Sequence, residues 1–164
     1  MSNLRCIPIL GMLVCVNVAS AQTTGNPGFE KMKSLAETWT STVDGKPGST
    51  TIRVVSNGTA IEETMTSPDD TQMVSMYTPD GNRLLMTHYC SMGNQPHLET
   101  GPVAPSDTKY SFVYKGATNL ASPSAAHISH LTLQLIDNDH FTETWTFAEN
   151  GKDNSETMQY TRQK

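Results

Sequence analysis

Apolar and polar residues alternate with a period of two from Thr38 almost to the end of the chain. Such alternation is typical of strands with one buried face. Upstream, apolar residues recur at helical spacing, which predicts a short helix over Phe29–Ala36, with Asn26 as its cap and Pro27 in its first position. The strands predicted from the alternation are Thr38–Val43, Thr50–Ser56, Ala60–Thr66, Gln72–Thr78, Arg83–Cys90, Pro96–Thr100, Lys109–Lys115, Ala126–Ile136, His140–Ala148 and Asn154–Arg162.

Short turn signals separate most of these strands, and Asn57-Gly58 predicts a two-residue hairpin turn. Strands joined by short connections pair as antiparallel neighbours. The sequence therefore predicts an all-β protein, an up-and-down antiparallel β-barrel of about ten strands with a short N-terminal helix. A two-sheet β-sandwich is the alternative, with residues 117–125 as its long crossover connection.

The alternation also predicts which side chains point inward, and three polar residues share the apolar face. Glu63 lies between Ile61 and Met65, Glu143 lies between Phe141 and Trp145, and His88 continues the face of Leu84 and Met86. A buried carboxylate is costly unless it is paired, so such residues either line a ligand cavity or meet each other. We therefore predict an interior pocket for a small, largely apolar molecule, unless a bulge turns each polar residue outward. Its predicted lining is Trp39, Glu63, Met86, His88, Phe112, Leu133, Phe141, Glu143 and Trp145.

The assignment of inward faces covers the other strands as well. It includes Val74 and Met76 on the fourth strand, Tyr110 on the seventh, and Met158 with Tyr160 on the last.

The N-terminus predicts export. Residues 1–21 combine one Arg, a mostly apolar stretch over Cys6–Val18 and a small-residue cleavage site at Ala19-Ser20-Ala21, which is the pattern of a signal peptide. Cleavage would leave residues 22–164 as a single domain in the periplasm or outside the cell, with Cys90 as its one cysteine.

Composition narrows the classes of partner. The net charge of -5 and the 16% of charged residues argue against a nucleic-acid-binding surface. No stretch after residue 21 approaches the ~20 apolar residues of a membrane span. The 22 threonines agree with a strand-rich protein.

Other chemistries stay open as alternatives. His88 and Cys90 share a strand face and His97 follows the next loop, a set that would suit zinc or copper. His140, at the start of a strand, is a candidate haem ligand. The common catalytic motifs GxSxG, HExxH, GxGxxG and the phosphate-binding loop are absent. An enzyme of the isomerase or cyclase type would need Glu63 and Glu143 to face each other as an acid–base pair.

Three segments carry a resemblance. They are Phe29–Trp39, Leu84–Cys90 with Gly93–Pro96, and Ala117–Leu120 with Asp139–Phe141 and Trp145. Together they resemble a family of bacterial secreted proteins of uncharacterised function with a lipocalin-like, calycin-type barrel. A helix that runs into a Trp on the first strand is similar to the lipocalin entrance, although Glu37 stands where lipocalins usually carry Gly. A more distant similarity to nitrobindin-like barrels implies haem bound by a His of the C-terminal half.

Overall fold

The computed structural model describes residues 25–43 and 46–164. The predicted signal peptide, residues 1–21, lies outside the described residues. The first element of the described residues is the α-helix α1 (Pro27–Met32), which continues into a 3-10 turn over Lys33–Leu35. The strands that follow are β1 (Thr38–Val43), β2 (Lys46–Val55), β3 (Ala60–Thr66), β4 (Gln72–Asp80), β5 (Arg83–Tyr89), β6 (Gln95–Glu99), β7 (Lys109–Thr118), β8 (His127–Leu135), β9 (His140–Glu149) and β10 (Lys152–Arg162).

These strands form one closed antiparallel barrel in which every strand pairs with its neighbours in sequence and β1 pairs with β10. The prediction of an up-and-down barrel is therefore confirmed, and the β-sandwich alternative is wrong because residues 117–125 connect adjacent strands. Closure gives every strand two partners, which removes the exposed edges of an open sheet. In the described residues, no helix has the length and apolar character needed to cross a bilayer.

Helix α1 covers one end of the barrel, which we call the helix end. The side chain of Asn26 caps the helix by accepting a hydrogen bond from the amide of Phe29 at 3.0 Å. The same side chain donates to the carbonyl oxygens of Gly81 and Arg83 at 3.2 and 2.9 Å, which ties the helix to the β4–β5 turn. The apolar face of the helical segment joins the barrel core through Phe29, Met32 and Leu35.

The turns differ from the prediction at one hairpin. Val55 pairs with Ala60, so the β2–β3 connection has four residues rather than the two predicted for Asn57-Gly58. The two-residue turn with both φ angles positive is instead Asn150-Gly151, at 48° and 72°, between the paired residues Glu149 and Lys152. This backbone geometry matches the right-handed twist of the two strands that it joins.

The inward face of β4 also differs from the prediction. Ser75 and Tyr77 are buried in the barrel, whereas Val74 and Met76 lie on the opposite face. β4 carries apolar residues on both faces, so alternation alone cannot choose between them. The choice is made by pairing, because Ser75 lies opposite Glu63 and Tyr77 lies opposite Ile61, both of which are buried.

The end of the barrel opposite α1 is less covered, and we call it the open end. Its inward-facing apolar side chains Met73, Phe147 and Met158 pack against the core but are only partly buried. Glu156, paired with the buried Trp145, is exposed. The inward-facing side chains are therefore less completely covered at the open end than at the helix end.

Candidate functional site inside the barrel

Three polar residues that the alternation places inside the barrel are buried there. The exposed fraction is 1% for Glu63, 2% for His88 and 0% for Glu143. No bulge turns them outward, because each stands in an uninterrupted part of its ladder. The prediction that they face inward is confirmed.

Around them lies a group of hydrogen-bonded side chains that we call the interior polar cluster. Each carboxyl is held by hydroxyl or indole donors, and His88 contacts both a hydroxyl and an indole ring. The cluster consists of Thr50, Glu63, Ser75, Tyr77, His88, Glu143, Trp145 and Tyr160.

Two donors from neighbouring strands hold Glu63. The Thr50 hydroxyl donates to Glu63 Oε1 at 3.2 Å, and the Tyr77 hydroxyl donates to Glu63 Oε2 at 2.8 Å. Ladder pairing places these groups, since Thr50 is paired with Met65 and Tyr77 with Ile61, the inward neighbours of Glu63 on β3. Burial raises the pKa of Glu63 above its ordinary value, against the effect of these hydrogen bonds.

Glu143 has an uneven environment. Its Oε2 accepts from the Trp145 indole at 3.0 Å and from the Tyr160 hydroxyl at 3.3 Å. Its Oε1 is buried without a hydrogen-bond partner among the described residues. Burial, and then the charge of Glu63, raise the pKa of Glu143 well above its ordinary value.

These facts are explained together if Glu63 and Glu143 share one proton. The two carboxyls interact closely enough to perturb each other's pKa through their side chains. Two carboxylates in one site do not both ionise readily, and a protonated carboxyl becomes a donor. A proton on Glu143 Oε1 that is donated to Glu63 leaves no carboxyl oxygen unsatisfied and one negative charge inside the barrel.

His88 is neutral at neutral pH. Burial lowers the pKa of the imidazole to about 4. Its Nδ1 lies 3.0 Å from the Ser75 hydroxyl, and its ring lies 4.9 Å from that of Trp145. His88 therefore adds a polar group to the interior without adding a positive charge.

The remaining predicted lining residues form the walls and the base of the interior. Trp39 and Phe141 meet edge to face at 4.8 Å near the helix end, and Phe141 stacks on Tyr160 at 4.4 Å. All nine predicted residues are buried, namely Trp39, Glu63, Met86, His88, Phe112, Leu133, Phe141, Glu143 and Trp145.

The open clefts of the surface lie outside the interior polar cluster. One of about 550 Å³ lies between the helical segment and the β8–β9 turn, and another of about 550 Å³ lies beside α1 and the β4–β5 turn. Two more, of about 410 and 590 Å³, lie at the open end, beside Met73 and Phe147 respectively. None of the four has Glu63, His88 or Glu143 in its wall.

The residues of the predicted metal set are not brought together. His88 and Cys90 are buried on the inward side, but His97 lies on the outward face of β6, where its ring nitrogens contact Thr87 at 3.1 Å and Thr118 at 2.7 Å. In the described part of the chain, no three His, Cys, Asp or Glu side chains are grouped for a metal ion. These three residues therefore do not fit one metal site.

The other two alternatives stay hypotheses. His140, the candidate haem ligand, is exposed and contacts the Asp137 carboxylate at 2.8 Å. For the acid–base alternative, Glu63 and Glu143 are both buried in the barrel, and each affects the pKa of the other.

Several members of the cluster were not among the predicted site residues. Thr50, Ser75, Tyr77 and the hydroxyl of Tyr160 supply hydrogen bonds to the buried acids and His88. The available signal was the pair of inward-facing glutamates, because a buried acid needs hydroxyl or amide donors on the strands beside it.

Comparison with known proteins assigns no family. The chain matches no protein-family model, and it matches no curated protein. The closed ten-stranded barrel is compatible with the lipocalin-like resemblance, which otherwise rests on the three sequence segments alone.

Proposed function

We propose that the protein binds a small, largely apolar molecule in its barrel, entering through the open end. The observation that carries this proposal is the partial exposure of Met73, Phe147 and Met158, three inward-facing apolar side chains that lie beyond the buried core. Apolar surface that is exposed to water raises the free energy of the protein, and a ligand that covers this surface lowers it. Methionine side chains are flexible enough to adapt to an incoming molecule.

The floor of this binding region is the interior polar cluster. Met158 lies directly opposite Glu143 in the β9–β10 ladder, and its sulfur is 3.1 Å from the Tyr160 hydroxyl. Movement of one flexible side chain would therefore expose the buried carboxyl to a ligand. The polar end of the molecule would contact Glu143 or His88, and its apolar body would lie against Phe147 and Trp145. Export of the protein is part of the proposal and is supported by the N-terminal sequence pattern.

Binding of the neutral fluorescent probe N-phenyl-1-naphthylamine tests the proposal. We expect saturable probe fluorescence with energy transfer from tryptophan, since Trp145 lies at the floor of the region. Phe147→Ala and Met158→Ala should each weaken the affinity for the probe by roughly five- to tenfold. Each substitution removes apolar contact area that contributes on the order of 1 kcal/mol to the binding free energy.

Leu135→Ala is the matched control. Leu135 is also an apolar side chain partly buried against the core, but it lies near the helix end. This variant should bind the probe like the unmodified protein. Unsaturable binding, or a loss confined to Leu135→Ala, would contradict entry through the open end.

A further inference from the structure

The charge balance of the barrel interior is the starting observation. It holds two buried carboxyls, and no Lys or Arg is buried among the described residues. The other titratable groups that face Glu143 are Tyr77, His88, Tyr160 and, towards the rim, Glu156. None of them supplies a positive charge at neutral pH, because His88 is neutral and the others are acids.

The hydrogen bonds of the two carboxyls leave one acceptor open. The four hydrogen bonds from Thr50, Tyr77, Trp145 and Tyr160 go to three oxygens, and Glu143 Oε1 receives none from the part of the chain that the structure describes. A shared proton is one way to satisfy this oxygen. An ammonium group, with three N–H donors and a positive charge, satisfies it and neutralises the second carboxylate as well.

The surroundings of Glu143 also suit a cation. Trp145, Tyr160 and Phe141 present aromatic rings around this part of the interior. Aromatic faces attract cations, and more strongly where water is excluded. On the open-end side, Met158 lies opposite Glu143 and the exposed Glu156 lies opposite Trp145. A cation that enters from this end would therefore meet the Glu156 carboxylate before it reaches Glu143.

We propose that the molecule bound in the barrel carries a cationic amine whose N–H groups replace the proton shared by Glu63 and Glu143. This inference rests on the proposed function and assigns the chemical class of its ligand. The ammonium donates to Glu143 Oε1 and to Glu63, and the apolar remainder extends towards Phe147 and Met158. The displaced proton passes to the solvent, so that each amine bound releases about one proton near neutral pH.

Three probes of one shape test this assignment by isothermal titration calorimetry at pH 7. They are 2-phenylethylamine, which is cationic, 2-phenylethanol, which is neutral, and 3-phenylpropanoate, which is anionic. We expect the amine to bind roughly tenfold more tightly than the alcohol, as for a charge-assisted hydrogen bond, and the propanoate to bind most weakly. Titrations in phosphate and in Tris, which differ in ionisation enthalpy, should show about one proton released for the amine and none for the alcohol.

Glu143→Gln is the decisive variant, since glutamine reproduces the shape of a protonated glutamate. Its carbonyl can accept from Trp145 and Tyr160 while its amide donates to Glu63. The preference for the amine over the alcohol should fall to about one, the proton release should disappear, and the affinity for the alcohol should stay unchanged. Glu37→Gln is the control, because Glu37 is an exposed carboxylate at the helix end, and it should keep both the preference and the proton release.

The possible outcomes separate this inference from the proposed function. If the alcohol or the propanoate binds as tightly as the amine, the cationic ligand is wrong although the barrel binds small molecules. If none of the three binds but N-phenyl-1-naphthylamine does, the amine assignment again fails alone. If no probe binds, both proposals fail. Proton release is measured on the unmodified protein, so it tests the inference even if Glu143→Gln does not fold.

Discussion

Glu143 is a residue whose ionisation is costly in the folded protein. Its carboxyl is fully buried, its pKa is raised well above the ordinary value by burial and by Glu63, and one of its oxygens has no hydrogen-bond partner within residues 25–43 and 46–164. The folded protein therefore retains a proton that the unfolded chain releases near pH 4.5. Stability conferred by this proton is present at acid pH and is lost as the pH rises towards the pKa of the folded state.

Glu143→Gln should remove much of this pH dependence. Between the unfolded and folded pKa values, each proton retained lowers the free energy of unfolding by about 1.4 kcal/mol per pH unit. We expect the variant to lose stability less steeply than the unmodified protein from pH 5 to pH 8, by up to this slope. Urea unfolding at each pH measures the difference. If the free energy of unfolding changes with pH in the same way for the two proteins, Glu143 does not hold the proton.

At the scale of elements, the fit of α1 against the barrel depends on a glycine. A Cβ atom added to Gly28 would lie 2.6 Å from Val103 Cγ1 and 3.0 Å from Tyr110 Cε1. Glycine is thus required here for close approach of the helix backbone, although alanine is the better helix former by about 1 kcal/mol.

Gly28→Ala should therefore destabilise the protein despite the gain in helix propensity. Overpacking of this kind costs about 1–3 kcal/mol, which outweighs the propensity term. Chemical denaturation of the variant should show a net loss of up to about 2 kcal/mol. Gly116→Ala, on β7 with open space around the added Cβ, is the control and should unfold within about 0.5 kcal/mol of the unmodified protein. A stabilised Gly28→Ala variant would mean that the helix can move away from the barrel.

Most elements could be predicted because each strand has one clearly apolar face and short connections. The predicted bounds of β1 and β3 agree with the structure, and Asn26 caps the helix as expected. β4 shows where periodicity stops being informative, because Met73, Val74, Met76 and Tyr77 place apolar groups on both faces. Its orientation depends on a cross-strand partner, the buried Glu63, and such non-local pairing is not contained in the pattern of one segment.

For the candidate site, the sequence predicted which residues face inward but not which of them meet across strands. Glu63, His88 and Glu143 could be placed inside because each interrupts an apolar face in phase. Ladder register brings the Tyr160 hydroxyl to 3.3 Å from Glu143 Oε2, and it places His97 on the outward face of β6. Local alternation does not determine this register. For the same reason the residues of the predicted metal set are not brought together, since His97 and His88 lie on opposite faces of paired strands.

At the scale of the whole molecule, closure of the barrel depends on a short seam. In the described residues, β1 and β10 pair at three positions, from Trp39 with Arg162 to Ser41 with Tyr160, whereas β9 and β10 pair at ten. Arg162 reinforces the seam. Its guanidinium lies 4.3 Å from the Trp39 ring and donates to the Asn138 carbonyl at 2.9 and 2.8 Å.

Arg162→Met should open the seam locally without unfolding the barrel. Methionine keeps much of the apolar stem of arginine but loses the cation–π contact and the hydrogen bonds, which are worth roughly 1–3 kcal/mol together. Hydrogen exchange measured by mass spectrometry should become about tenfold faster or more in peptides covering β1 and the end of β10. Peptides of β3, β4 and β5, on the far side of the barrel, should exchange as before.

Arg53→Met is the control for this experiment, because Arg53 pairs with Glu62 on the exposed surface of β2 and β3, away from the seam. Its loss should leave exchange at the seam unchanged, since exposed ion pairs contribute little to stability. Uniformly faster exchange over all ten strands in Arg162→Met would indicate that the seam opens only when the whole barrel unfolds. Faster exchange confined to the seam would instead identify a local opening that joins the solvent to the aromatic side chains around Trp39 and Tyr160, and that opening would provide a second route to the interior.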